Sequence, residues 1–131
     1  VGTHNFTAST GNTFKIALYT NSSTVSVAST VYTSSGETTN TSGSAYTAGG
    51  EALTSITPAL KSTSTACCDF DDVSWGSASF TARGALIYND SASGDPTVCV
   101  LNFGSDKTAS NGTFTIQFPA FDATDAIIRL A

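Results

Sequence analysis

The chain has 131 residues, enough for one domain with a real core but not for two. It is 40% hydrophobic with eight Phe, four Tyr and one Trp, which excludes a disordered chain. Its net charge is −5, with Lys15, Lys61, Arg83, Lys107 and Arg129 scattered singly; that excludes nucleic acid as the expected partner, because phosphate binding needs clustered cations.

No run approaches the ~18 apolar residues of a membrane-spanning helix, so no membrane partner is expected. Charged residues are only 11% of the chain, against roughly 25% in an ordinary soluble domain. Ser and Thr supply the missing polarity. A neutral hydroxyl surface suits strands, since Thr is β-branched and fits the pleat. It also carries little like-charge repulsion against copies of itself, which favours assembly. The chain opens at Val1 and contains no Met. Either a leader or initiator segment has been removed or the start is trimmed, and secretion is not legible from it.

Residues 1–12 read as an N-terminal arm ahead of a single domain over 13–131. A strand is predicted over 13–20, where Phe14, Ile16 and Leu18 share one face. A weaker strand is predicted over 24–33, then a Ser/Thr/Gly-rich loop or ribbon over 34–50 that ends on Gly49-Gly50. The extended pattern resumes over 51–60, with Pro58 confined to an edge or a bulge because it has no N–H to give a ladder. A strand over 63–70 is followed by a turn at 71–75 into a strand over 77–88. On that strand Phe80, Ala82, Gly84, Leu86 and Tyr88 line one face.

A turn over 89–96 carries Gly94 and Pro96, and a strand over 97–103 leads into a polar loop over 104–112. Strands over 113–118 and 126–130 close the domain. The clearest period of two in the chain is Phe114, Ile116 and Phe118 against Thr113, Thr115 and Gln117. About eight short strands and no full-length helix predict an all-β fold, a two-sheet antiparallel β-sandwich of jelly-roll or immunoglobulin-like type.

Reactive groups are sparse. His4 is the single histidine, and no spacing supplies it with a Ser or Asp partner. Asp69, Asp71 and Asp72 offer oxygen ligands for a hard cation, yet the glycine-spaced loop and the fixed Glu of a calcium site are absent; the plainer reading is a turn that keeps an edge solvated. Carboxylate pairs that could hydrolyse a glycoside arise by chance among ten acids, of which only Glu37 and Glu51 are Glu. No catalytic residue, metal or cofactor is therefore expected. Asn-x-Ser/Thr triplets at Asn5, Asn21, Asn40, Asn89 and Asn111 are about what chance gives in so hydroxyl-rich a chain.

Trp75 invites a sugar-stacking reading, against the plainer one of a half-buried indole bonded to backbone. Cys68 shares parity with Ala66 and Phe70 on the expected core side, and Cys67 falls on the other. The open alternatives are free buried thiols, a Cys68–Cys99 disulfide, or a bridge between subunits through Cys67.

Arg83 stands on a strand almost free of charge, on the face away from Phe80. It calls for a carboxylate, from Asp69 or Asp71 or from another subunit. Val98-Cys99-Val100-Leu101 is apolar on both parities and Ile127-Ile128 repeats the ambiguity: each is a strand covered on both faces or one that meets a partner. Val98, Val100, Arg83, Ile127 and Tyr46 are the expected interface residues.

Several blocks together carry a resemblance. They are Gly2-Thr3-His4-Asn5-Phe6; the run from Thr13 to Thr20, Thr-Phe-Lys-Ile-Ala-Leu-Tyr-Thr; Tyr46-Thr47-Ala48-Gly49-Gly50; the run from Phe80 to Asn89; and Val98-Cys99-Val100-Leu101-Asn102-Phe103-Gly104-Ser105. In this order, over nearly the whole length, the chain resembles small all-β virion structural proteins of tailed bacteriophages. Relatives of that kind carry a short segment ahead of the Gly-Thr-His-Asn-Phe stretch, and the vicinal Cys67-Cys68 pair departs from their pattern.

The resemblance implies a virion component assembled in the host cytoplasm, most simply a capsid decoration (cement) protein. Its implied partners are the major capsid protein, or tail proteins, and further copies of itself in a dimer or trimer. The resemblance brings no catalytic residues. The alternatives are a tail or neck protein, a carbohydrate-binding module built on Trp75, and, last, a hydrolase.

Overall fold

The alternation at Phe14, Ile16 and Leu18 becomes the middle of the protein, where all three side chains are fully enclosed. The structure, a computed structural model, describes residues 3–39 and 46–131. Among these it is all-β, with seven strands and no helix: β1 (Phe14–Tyr19), β2 (Glu51–Leu53), β3 (Ser55–Leu60), β4 (Ala66–Phe70), β5 (Val73–Asn89), β6 (Thr97–Ile116) and β7 (Ile128–Leu130). Two antiparallel sheets form, one ordered β2-β1-β5-β6 and the other β3-β4-β7. Their facing side chains meet in one core, the arrangement of a β-sandwich. Phe14 of the first sheet lies 5.5 Å from Phe70 of the second, centroid to centroid. Each such ring, taken fully out of water, contributes about 1.5–3 kcal/mol.

The expected extended run over 51–60 is two strands in different sheets. The chain crosses from β2 to β3 at Thr54, and Pro58 sits beside the register shift in the β3–β4 pairing. The expected polar loop over 104–112 is instead part of β6. Lys107, Thr108 and Ala109 pair with Ala82, Thr81 and Phe80, so a ladder partner decides against the loop-like composition. The weak strand expected over 24–33 is absent. That segment makes only an isolated bridge, Val31 to Pro96, and lies across the outer face of the first sheet.

That outer layer explains a second difference. Phe80, Ala82, Leu86 and Tyr88 do not share one face. Phe80 and Ala82 enter the main core together with Ala85 and Ile87, while Leu86 and Tyr88 join Ala17 and Tyr19 in an outer cluster under Val25 and Tyr32. The register shift between Ala82 and Gly84 turns the strand over, as bulges do. Gly84 is required at this bend, since a Cβ there would stand 2.6 Å from the Leu101 carbonyl oxygen. Beyond the bend the period-two pattern holds: Phe114 and Ile116 are buried, Phe118 packs against the core, and Thr113, Thr115 and Gln117 are exposed.

The N-terminal arm is docked onto the domain over its described residues. Phe6 stacks on Phe14 at 4.6 Å, with planes 5° apart. The fully buried Asn89 donates through Nδ2 to the Thr3 carbonyl at 3.0 Å and to Asn12 Oδ1 at 3.0 Å. Residues 3–12 therefore pack on the domain they precede; residues 1 and 2 lie outside the described part.

Candidate functional site

All four tyrosines of the chain converge around one carboxylate that sequence reading passed over. Glu37 follows Gly36, whose backbone, at φ +75, turns the chain back toward the sheet. Its Oε1 accepts from the Tyr46 hydroxyl at 2.5 Å and from the Gly49 N–H at 2.8 Å, and its Oε2 accepts from the Tyr32 hydroxyl at 2.7 Å. Tyr46 in turn accepts from the Leu18 N–H at 2.9 Å. Tyr88 donates to the Gly49 carbonyl at 2.7 Å and stacks on Tyr32 at 4.6 Å, while Tyr19 donates to the Thr33 carbonyl at 2.6 Å. The network sews the segment around residues 32–37 and the Tyr46–Gly49 turn onto the first sheet. Tyr46, expected at an interface, is instead a core residue.

The phenols are held neutral. Burial first, then the Glu37 charge, pushes Tyr19 up to about 12; burial first, then a hydrogen bond to Glu37, raises Tyr32 and Tyr46, and burial first, then the Asp90 charge, raises Tyr88. Because these folded values lie above the ordinary 10.0, the folded protein binds phenolic protons more tightly than the unfolded chain. Their stability contribution is therefore complete below pH 10 and is lost as pH rises through the folded values. The expected result is a steep fall in unfolding free energy between pH 10 and about 12. Phenolate absorbance should rise together with loss of the β circular dichroism signal, not before it.

The other predicted residues do not assemble into a site. His4 packs its ring beside the stacked pair Phe6 and Phe14, and its Nδ1 meets Asn89 Nδ2 at 3.2 Å; it braces the arm. Among the described residues no three His, Cys, Asp or Glu side chains gather as metal ligands do. Asp69, expected to project into solvent, is buried, and burial raises its pKa despite the Phe70 N–H on Oδ1 at 2.9 Å. The Asp122 carbonyl meets Cys67 and the Ile127 backbone meets Asp69 on that side of β4, which is why an outward parity there is not a wet one. Asp72 Oδ1 accepts from the Phe118 N–H at 2.8 Å, and Asp71 is exposed.

Trp75 is 2% exposed, enclosed by Tyr46, Phe80 and Phe114, with no hydrogen-bond partner for its Nε1 among the described residues. Neither the sugar-stacking platform nor the backbone-bonded indole is what the fold builds there.

The three cysteines are free, and no bridge joins Cys68 to Cys99. Cys67 is buried and its thiol donates to the Asp122 carbonyl at 3.2 Å, which leaves nothing at the surface for a bridge between subunits. Burial pushes Cys99 up to about 11 and also raises Cys68. Since the thiolate is the reactive form, thiol reagents at neutral pH should label the native protein slowly. All three cysteines should label on unfolding without reductant, and fewer than three would mean a disulfide exists.

Val98 and Val100 are half-buried on opposite sides of β6, Val98 against the main core and Val100 against the outer cluster; Ile127 also packs on the main core. The double-parity apolar run is therefore a strand with both faces partly covered. Of the five expected interface residues Arg83 stands apart. Asp69 and Asp71 belong with the other sheet, and among the described residues the one ion pair is Lys15–Asp90 at 3.1 Å. Arg83 instead lines an open groove of about 370 Å3 on the outer face, shared with Tyr19, Asn21, Val27, Val100 and Asn102.

Compared with protein-family models, curated proteins and solved structures, the chain has no match in any of the three.

Proposed function

We propose that this is a bacteriophage virion structural protein, a capsid decoration protein that docks on the assembled head and stabilises it through protein–protein contacts. The observation that carries this reading is β6. It runs along the edge of its sheet over Thr97–Ile116, bulged out of the ladder at residues 103–106, and no strand of the described residues pairs with its outer side. Proteins that live alone blunt such edges with charge, proline, brevity or bulges; the bulges here still leave Cys99–Asn102, Lys107–Ala109 and Phe114–Ile116 as paired runs with an open outer side. Here only Asp106 and Lys107 are charged, and the facing strands present neutral hydroxyl pairs, Thr81 with Thr108 and Ser74 with Thr115, each at 2.8 Å. A long, neutral edge of this kind suits a chain that is covered in an assembly, by shell subunits or by further copies in a dimer or trimer.

Anything that binds only the assembled shell stabilises it by mass action. The resemblance in the sequence points the same way, and the groups that could do chemistry are engaged in packing. For the finer architecture we favour an immunoglobulin-like sandwich over a jelly roll on strand number, four plus three, although the order β2-β1-β5-β6 departs from that of immunoglobulin domains.

Quantitative mass spectrometry of purified particles tests the reading. Copies in proportion to the major capsid protein are expected. A handful of copies would favour a tail or neck protein, and absence from the particle would end the proposal.

A further inference from the structure

We infer that the groove beside Arg83 is a recognition site for a carboxylate, and that its occupant is an Asp or Glu side chain on an extended, partly apolar segment of the partner protein. This rests on the docking role proposed above and names the chemistry of one contact.

Arg83 is half-buried, and among the described residues its guanidinium has no ion pair or hydrogen bond. None of the residues lining the groove is acidic. A guanidinium that has lost part of its water and gained no counter-charge is left at a cost. The planar fork of Arg matches a carboxylate through two parallel hydrogen bonds, and such charge-assisted bonds are the strong ones. The amides of Asn21 and Asn102 lie in the same groove and can bind the flanking backbone of a peptide. Val27, 99% exposed, forms part of the wall with Val25 and Val100.

An exposed aliphatic rim next to an unpaired cation suits an acidic residue followed by an apolar one better than a free small acid. The chain as a whole is negative, at −5, so a cation in an acid-free groove favours docking of an acidic segment in this orientation.

Two measurements decide it. In the first, wild-type protein, Arg83→Ala and Arg83→Lys are added to shells of the parent particle that lack this protein, and uptake is measured against concentration. Arg83→Ala should bind at least about tenfold more weakly, the loss expected for hydrogen bonds to a charged group, with Arg83→Lys in between. Among the described residues Arg83 pairs with nothing, so both variants should keep the wild-type circular dichroism spectrum and melting temperature. Equal uptake of wild type and Arg83→Ala overturns the inference and leaves the docking role standing.

In the second, the isolated protein is titrated with acetyl-Val-Glu-Val-amide, with its Gln counterpart, and with acetate, while backbone amide resonances are followed. Shifts at Arg83, Asn102 and Val27 with the Glu peptide alone support the inference even if shells take up no wild-type protein, a result that would remove only the docking role. Acetate matching the Glu peptide would make the groove a site for free acids, and no selective shift with the Glu peptide would leave no carboxylate site; either result overturns the inference.

Discussion

Replacing Glu37 with Ala is expected to lower the unfolding free energy by about 2–5 kcal/mol, because buried neutral donors lose a charged acceptor. The carboxylate accepts from three donors, and their fates differ. The Tyr32 hydroxyl lies on a half-buried residue and can turn to water. The Tyr46 hydroxyl and the Gly49 N–H are held against the sheet and both lose the carboxylate as acceptor. Each donor left unsatisfied in the interior costs about 1–3 kcal/mol.

Glu37→Gln separates charge from geometry. Its carbonyl oxygen can keep Tyr46 and Gly49, and its amide can donate to Tyr32, so a loss of about 1–2 kcal/mol is expected. Both values are read from urea denaturation curves at neutral pH. A domain of this kind has only about 5–15 kcal/mol in total, so Glu37→Ala should sit near the edge of folding. A loss below about 1 kcal/mol would mean that water already serves these donors, and the four-tyrosine network would then not be what fastens the outer segment.

That network shows where sequence reading runs out. The alternation of Phe14, Ile16 and Leu18, or of Phe114, Ile116 and Phe118, was legible because each stretch is an uninterrupted pleat with one face on the core. The same rule misassigned Leu86 and Tyr88, because the bend at Arg83 and Gly84 exchanges the faces and leaves no period for a local pattern to show. It treated Asp69 and Cys67 as wet, because a strand's far side is exposed only if nothing folds over it.

The polar composition of residues 104–112 favoured a loop, and long-range pairing with β5 overrode it. Glu37 and the tyrosines are scattered over dozens of positions, and only their shared chemistry, phenols with one carboxylate in a charge-poor chain, was available as a signal. Arg83 was conspicuous for the same scarcity of charge. The carboxylates nominated for it within the chain, Asp69 and Asp71, do not reach it because β4 belongs to the other sheet.

Gly50→Ala is expected to be as damaging as the loss of Glu37, for a reason that lies wholly in the backbone. Gly50 has φ +77, and a Cβ there would lie 1.8 Å from the Ile16 carbonyl oxygen and 2.5 Å from its carbon. These are main-chain atoms of β1, directly beside the place where Ile16 pairs with Glu51, so no side chain can move aside. The left-handed conformation alone costs a residue with a Cβ about 1–2 kcal/mol. Overpacking against a fixed strand adds about 1–3 kcal/mol.

Gly94→Ala is the matched control. Gly94 has φ +82 and nothing within 4 Å of its would-be Cβ, so only the conformational cost, about 1–2 kcal/mol, should appear. The difference between the two variants in denaturant midpoint measures the clash. Relief of that clash must push β2 away from β1, and the Gly50 N–H bond to the Thr47 carbonyl and the Gly49 contacts to Glu37 and Tyr88 would move with it. Gly50→Ala should therefore also bring the alkaline transition to lower pH, while Gly94→Ala leaves it in place. Equal midpoints for the two variants would show that the turn accommodates a methyl group, and that β2 is not pinned by this close approach.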